Sequence, residues 1–179
     1  MKTSGTIILL ICTGLLVGCQ SRPPIRTVDQ LALERFMGAW YVIASIPTPF
    51  EKEAYNGIES YRLAPNGTVE TTFTFNKGGF GGPRKVYRAR GFIRDPGENT
   101  VWDMQFIWPF KAEYRVVYLD QDYTVTVVGR TRRDYVWIMA RAPSIPVDDY
   151  DRIINLLTEE GYDVSKLIKV PHTPAPRAG

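Results

Sequence analysis

Few side chains in this sequence have a type and spacing that could do chemistry. Glu51, Glu53 and Glu59 fall close together. Two carboxylates sharing a site can serve as general acid and base, because their environments push the two pKa values apart. The surroundings of these three read instead as a solvated loop and a strand edge. The chain has one His, His172 near the C-terminus, and two Cys, Cys12 and Cys19. They offer no Cys–His pair, no cluster of metal ligands and no G-x-S-x-G, so nucleophilic and zinc chemistry have no team. Gly78-Gly79-Phe80-Gly81-Gly82-Pro83 is a flexible loop; no Lys-Ser/Thr and no helix pattern follow it, so it is no phosphate loop. No catalytic residue, metal or cofactor is expected, and an enzyme reading rests on nothing positive.

The informative residues are apolar. Trp40-Tyr41-Val42-Ile43-Ala44-Ser45-Ile46 reads as a strand, rich in aromatic and β-branched types and bounded by Pro47 and Pro49. Gly38 before it allows a backbone conformation, or a close approach, that a Cβ would block. Far downstream, Trp137-Ile138-Met139-Ala140-Arg141 ends a late strand in a lone Arg. A guanidinium there can lie over the Trp40 indole and reach backbone carbonyls at the end of a closed barrel.

The elements between them read as strands joined by turns. Ile58 to Leu63 is closed by Pro65-Asn66-Gly67. Thr68 to Phe75 alternates, with Val69, Thr71, Phe73 and Phe75 on one face. Lys85 to Ile93 turns at Asp95-Pro96-Gly97-Glu98-Asn99. Thr100 to Ile107 sets Trp102, Met104 and Phe106 against Asp103 and Gln105, and Trp108-Pro109-Phe110 breaks it. Tyr114, Val116 and Tyr118 mark the next strand, turned at Asp120-Gln121-Asp122. Tyr123 to Gly129 and Tyr135 to Arg141 complete eight strands. The fold expected is all-β, an eight-stranded up-and-down antiparallel barrel with room for one small ligand. One C-terminal helix packs on its wall: it starts at Val147-Asp148-Asp149, aligns Tyr150, Ile153, Ile154 and Leu157 on one face, and stops at Gly161. Val164 to Val170 could add an outer strand.

The chain of 179 residues, 44% apolar and 23% charged, fits one domain with one sizeable core. A dispersed formal net charge of +3, with no basic block, argues against nucleic acid. Met1-Lys2 followed by the apolar stretch Ile7 to Val17 is too short to span a bilayer and reads as a signal peptide, residues 1–18. Leu16-Val17-Gly18-Cys19 resembles the bacterial lipoprotein box, which implies cleavage before Cys19 and its lipidation. Gln20, where an Asp would retain the protein in the inner membrane, implies the outer membrane. Cys12 is discarded, so the mature chain can form no internal disulfide. Residues 19–28 make a tether and residues 29–170 the domain, with a turn of helix within Val28 to Phe36 capped by Asp29 or Thr27. Residues 171–179 are a Pro-rich tail, expected to be disordered.

Gly38-Ala39-Trp40-Tyr41 resembles the G-x-W signature that opens lipocalin barrels. Asp122-Tyr123 resembles the second lipocalin motif, a T-D-Y turn, with Gln121 in place of the Thr. Arg141 resembles the third, the lone Arg that packs on the first-strand Trp. A closer resemblance, to bacterial outer-membrane lipocalins, rests on Trp40-Tyr41-Val42-Ile43-Ala44, Arg133-Asp134-Tyr135-Val136-Trp137-Ile138 and Gly161-Tyr162-Asp163-Val164-Ser165-Lys166-Leu167. It spans roughly residues 30–170. It implies a binding protein, anchored to the membrane through Cys19, for fatty acids or lysophospholipids in the cell envelope. A homodimer stays open as an assembly. The inward faces expected to line the cavity are Tyr61, Phe73, Phe75, Trp102, Met104, Phe106, Tyr114, Val116, Tyr118, Trp137 and Met139, with Arg84, Lys85 and Lys111 at the rim for an anionic head. A one-residue bulge would reverse these faces locally. Two other classes stay open: a structural lipoprotein with a filled barrel, and a lipocalin-type enzyme, whose mark would be a Cys, Asp or Glu inside the cup.

Overall fold

The structure is a computed structural model and describes residues 24–173. Residues 1–23, which include the expected signal peptide and Cys19, and residues 174–179 lie outside the described residues. Strands β1 (Gly38–Ile46), β2 (Ala54–Leu63), β3 (Val69–Lys77), β4 (Arg84–Ile93), β5 (Val101–Ile107), β6 (Phe110–Leu119), β7 (Val125–Gly129) and β8 (Val136–Ala140) each pair antiparallel with the next. β1 pairs with both β2 and β8, which closes the expected eight-stranded up-and-down barrel. The loops after β1, β3, β5 and β7 gather at one end, the mouth.

The other end is plugged. A single helical turn, α1 (Leu33–Phe36), puts Phe36 into the barrel against Trp40, Tyr61 and Trp102, with ring centroids 5.1, 5.3 and 5.7 Å away. Its N-cap is Ala32 with no side-chain cap, so neither Asp29 nor Thr27 plays that part. Trp40 donates its indole N–H to Phe36 O at 2.8 Å. Arg141 lies over the Trp40 ring, its Cζ 3.8 Å from the centroid. The same guanidinium donates to the carbonyls of Ala39, Arg35 and Met37, each at 2.8 Å, and of Phe36 at 3.2 Å. Gly38 has φ +95°, and a Cβ on it would stand 3.3 Å from Arg141 Nη1, so both backbone and space ask for Gly. The β6–β7 turn is organised by Asp120, whose Oδ1 accepts from the backbone N–H groups of Thr124 (2.6 Å) and Val125 (2.9 Å). Asp122 is exposed at its tip, and Tyr123 donates nothing inward; its hydroxyl accepts from Ala32 N–H at 2.9 Å.

Outside the barrel, α2 (Val147–Glu159) buries Ile153 and Leu157 against Ala44, Ile46, Val127, Val136 and Ile138. Gly161, at φ +84°, ends it, and the following Tyr162 N–H bonds back to Leu157 O at 2.9 Å. The Tyr162 hydroxyl then accepts from Arg130 N–H at 2.9 Å. A Cβ on Gly129 would overlap that hydroxyl, which is why β7 ends in Gly.

Among the described residues four register shifts interrupt the pairing; one, between Met104 and Ile107 of β5, lies beside Phe106 at the mouth, and the other three bear on which residues face inward. One between Val42 and Ala44 turns Ala44 and Ile46 outward under α2. One between Tyr55 and Ile58 lets β2 start earlier than the sequence pattern suggests, with Asn56 at φ 50°. One between Val116 and Tyr118 pairs Val116 with Val128 but Tyr118 with Val127. Tyr118 therefore points outward into the cluster beneath α2, and its expected place in the cavity is corrected.

After a 3₁₀ turn (Val164–Lys166), β9 (Ile168–Lys169) pairs with Ala44 and Ser45 of β1. Of the tail expected to be disordered, Pro171 to Thr173 are held by hydrogen bonds, and residues 174–179 lie outside the described residues. Pro171 O accepts from Asn56 N–H at 2.8 Å, Thr173 N–H donates to Asn56 Oδ1 at 2.8 Å, and His172 Nε2 lies 2.8 Å from Val42 O. The bulge in β2 exposes backbone polar groups there, and the tail satisfies them.

Candidate functional site

Inside the barrel, above the plug, is a cavity of about 380 Å³ that opens at the mouth. That size lies within the roughly 300–1,000 Å³ of small-molecule sites. Its floor is a ring cluster. Trp102 and Tyr114 stack with centroids 4.8 Å apart and planes 5° from parallel, and the Tyr61 and Tyr114 hydroxyls share a 2.7 Å hydrogen bond. Phe73, Met104, Val128 and Met139 form apolar walls, and the β1–β2 loop contributes Thr48, Pro49 and Phe50 to the rim.

Of the expected lining residues, Tyr61, Phe73, Met104, Phe106, Tyr114, Trp137 and Met139 border the cavity. Trp102 and Val116 are inside the barrel but fully buried below the cavity, where they fill the closed end. Phe75 is buried behind Phe73 and Tyr87, at 5.1 and 6.0 Å, and it is Tyr87 that reaches the surface. Arg84, Lys85 and Lys111 do not border it; Lys111 Nζ sits 4.0 Å over the Phe92 ring instead, while Arg88 and Arg130 stand at the mouth.

β4 and β5 pair only from Arg90/Gln105 onward to Ile93/Trp102. Toward the mouth they part, and the cavity reaches that gap. Phe106 borders the cavity while 53% exposed, and Ile107 beside it is 70% exposed. Trp108, Phe110 and Phe50 extend this exposed apolar rim.

The acidic residues depart most from expectation. Glu53 is exposed, but Glu51 and Glu59 border the cavity. Glu59 alternates with Tyr61 on the inward face of β2, opposite Trp40 on one side and Phe73 on the other. Burial, reinforced by the charge of Glu51 and only partly offset by the Tyr61 hydroxyl, pushes its carboxyl up to about 8. Burial also raises Glu51, against the hydrogen bonds from Trp137 Nε1 (3.1 Å) and Thr48 N–H (3.3 Å). Burial raises Tyr61 and Tyr114 as well, so both phenols stay neutral. Glu59 was legible in principle: it lies two residues before Tyr61, and strand alternation puts both on one face. The loop residue Glu51 carried no such signal. Among the described residues no group of His, Cys, Asp and Glu could hold a metal ion.

The family model described as a lipocalin-like domain matches residues 31–172. This chain belongs to the lipocalin-like family. The lipocalin shares 32% identity over 163 residues with temperature-induced lipocalin-1 of Arabidopsis thaliana, covering 85% of each chain. It shares 30% identity over 162 residues with the outer membrane lipoprotein Blc of Escherichia coli K12, covering 87% of this chain and 89% of that one. Among solved structures, insecticyanin from the tobacco hornworm superposes with a TM-score of 0.64 at 17% identity, over 88% of this lipocalin and 87% of that chain. That likeness is one of fold. Lipocalins are in general binding or transport proteins, and a hydrophobic ligand suits the cup found here.

Proposed function

We propose that this lipocalin is a lipid-anchored binding protein that holds a single-chain amphiphile, a fatty acid or a lysophospholipid, in the bacterial cell envelope. The observation that carries the reading is the apolar cavity, closed by the Trp102/Tyr114 floor and open at the rim. Each buried CH₂ contributes ~0.8 kcal/mol, so a long chain reaches micromolar binding after association costs of several kcal/mol. The exposed rim of Phe50, Ile107, Trp108 and Phe110 supports entry from a lipid phase. The Cys19 motif and the similarity to proteins named outer membrane lipoprotein support anchoring in the outer membrane. A barrel interior that its own side chains leave partly unfilled favours binding over a purely structural lipoprotein.

The test is a titration of the purified protein with amphiphiles of increasing chain length. Affinity is expected to rise with length until the cavity is filled. Affinity independent of length, or no binding, would leave the structural reading. Mass spectrometry of lipid extracted from the protein isolated from its own membrane identifies the occupant.

A further inference from the structure

We propose that Glu51 and Glu59, with the aromatic rings beside them, form a subsite for an ammonium group on the amphiphile that the cavity holds. The inference rests on the carrier reading above and narrows its ligand to a cationic or zwitterionic one.

Two carboxyl groups meet in the cup with no cationic side chain paired to either among the described residues. Glu59 projects from mid-β2 into the cup, its register neighbours Trp40 and Phe73 both apolar. Glu51 reaches the same cavity from the β1–β2 loop and is held in place by the Trp137 indole N–H. Among the described residues neither carboxylate has a Lys or Arg ion-pair partner. Two of the other charged groups at the cavity, Arg130 and Glu113, have partners at the mouth. Arg130 Nε lies 3.5 Å from Asp134, and Glu113 accepts from Arg115 at 2.9 Å; Arg88 is exposed. The remaining titratable neighbours, Tyr61, Tyr87, Tyr114 and Tyr135, carry no positive charge.

Two acids in an apolar cup are costly to the folded chain unless something cationic joins them. A bound ammonium would complete the set, and the aromatic residues Trp137, Tyr61 and Tyr114 border the same space, where ring quadrupoles attract quaternary ammonium. A fatty-acid carboxylate placed at the same spot would meet like charge wherever either acid is ionised.

The experiment compares three probes with the same twelve-carbon chain: dodecyltrimethylammonium, neutral 1-monolauroylglycerol and dodecanoate, each below its micelle concentration. The cation is expected to bind about tenfold tighter than the neutral probe, with the carboxylate weakest. Since the permanent cation favours ionised Glu59, the cation-to-neutral ratio should climb between about pH 6 and pH 9. In Glu59→Gln the ratio should collapse to within about threefold, and its drop should exceed that in Glu51→Gln, which keeps the deeper carboxylate. If the Gln variant does not fold, the wild-type pH series decides alone. A flat or falling ratio, or a neutral probe that binds as well as the cation, overturns this proposal and leaves the carrier reading standing. Failure of all three probes to bind overturns the carrier reading itself.

Discussion

Arg141 covers the Trp40 indole at 3.8 Å and donates to four carbonyls around the α1 turn. One side chain from the end of β8 thereby ties the start of β1 to the plug. Arg141→Ala removes a cation–π contact and the guanidinium donor to those carbonyls, of which Phe36 O keeps the Trp40 indole N–H, a loss of about 2–4 kcal/mol. Arg141→Lys keeps the charge but not the planar fork, and should recover less than half of it. Thermal or denaturant unfolding measures the loss. Chain-length preference should not change, because Arg141 does not border the cavity. Altered preference at unchanged stability would assign Arg141 to the site.

Glu59 predicts an unusual pH profile. Its carboxyl is raised from 4.5 to about 8, so within that window the folded protein keeps a proton that the unfolded chain has released. Stability contributed by this group is complete below pH 4.5 and falls as pH rises toward 8, with a slope of up to about 1.4 kcal/mol per pH unit. Burial shifts Glu51 in the same direction. Glu59→Gln should flatten the decline seen in ligand-free wild type. A melting temperature that rises from pH 5 to 8 in wild type, and does so equally in the variant, would contradict the buried position of this acid.

The cavity can be tested from its wall and from its outside. Phe106→Asp puts a charge at a half-exposed lining position, where folding tolerates it, and should lower acyl-chain affinity at least about tenfold. Met104→Arg, at a position only 3% exposed, should abolish binding and also cost several kcal/mol of stability. Tyr118→Ala should do neither to the ligand; it loosens the packing beneath α2. Fluorescence titration and unfolding curves on the same three variants separate these outcomes. Lost binding in Tyr118→Ala with the barrel intact would return that side chain to the cavity.

For the proposed anchor, Cys19→Ser should yield protein that leaves the membrane fraction, unprocessed or soluble, and that still folds, because the barrel is built from residues after Cys19. Fractionation with mass measurement decides this. Retention in the membrane at the mass of the wild type would remove the lipoprotein reading.

The barrel was legible because its strands advertise themselves: alternation in Val69 to Phe75 and in Thr100 to Ile107, and turn residues between. The Trp40 and Arg141 positions followed from residue type and order. What stayed hidden was parity. The shift at Val116/Tyr118 is a backbone event with no composition of its own, so a pattern carried through it puts Tyr118 on the wrong face. Depth was hidden too. Trp102 and Met104 share a face, yet the first is buried within the floor cluster and the second borders the space above it. Sequence spacing says which way a side chain points, not how far along the barrel the plug reaches. Glu59 was misread for a third reason: a carboxylate is usually solvated, and its unusual burial comes from neighbours distant in sequence.

The seam between β1 and β2 has one more consequence. β1 pairs with β2 only from Gly38 to Tyr41, and past that point its flank is taken by Ile168 and Lys169, while Asn56 on β2 is held by Pro171 and Thr173. A segment from late in the sequence therefore completes the wall begun by the first strand. Until it arrives, two strand edges stand open beside an unsealed cup, a template for pairing with another chain. Closure must bridge most of the sequence, the kind of non-local contact that slows folding. A chain shortened before Ile168 should thus show its defect first as self-association during production, before any loss is seen in the strands already formed.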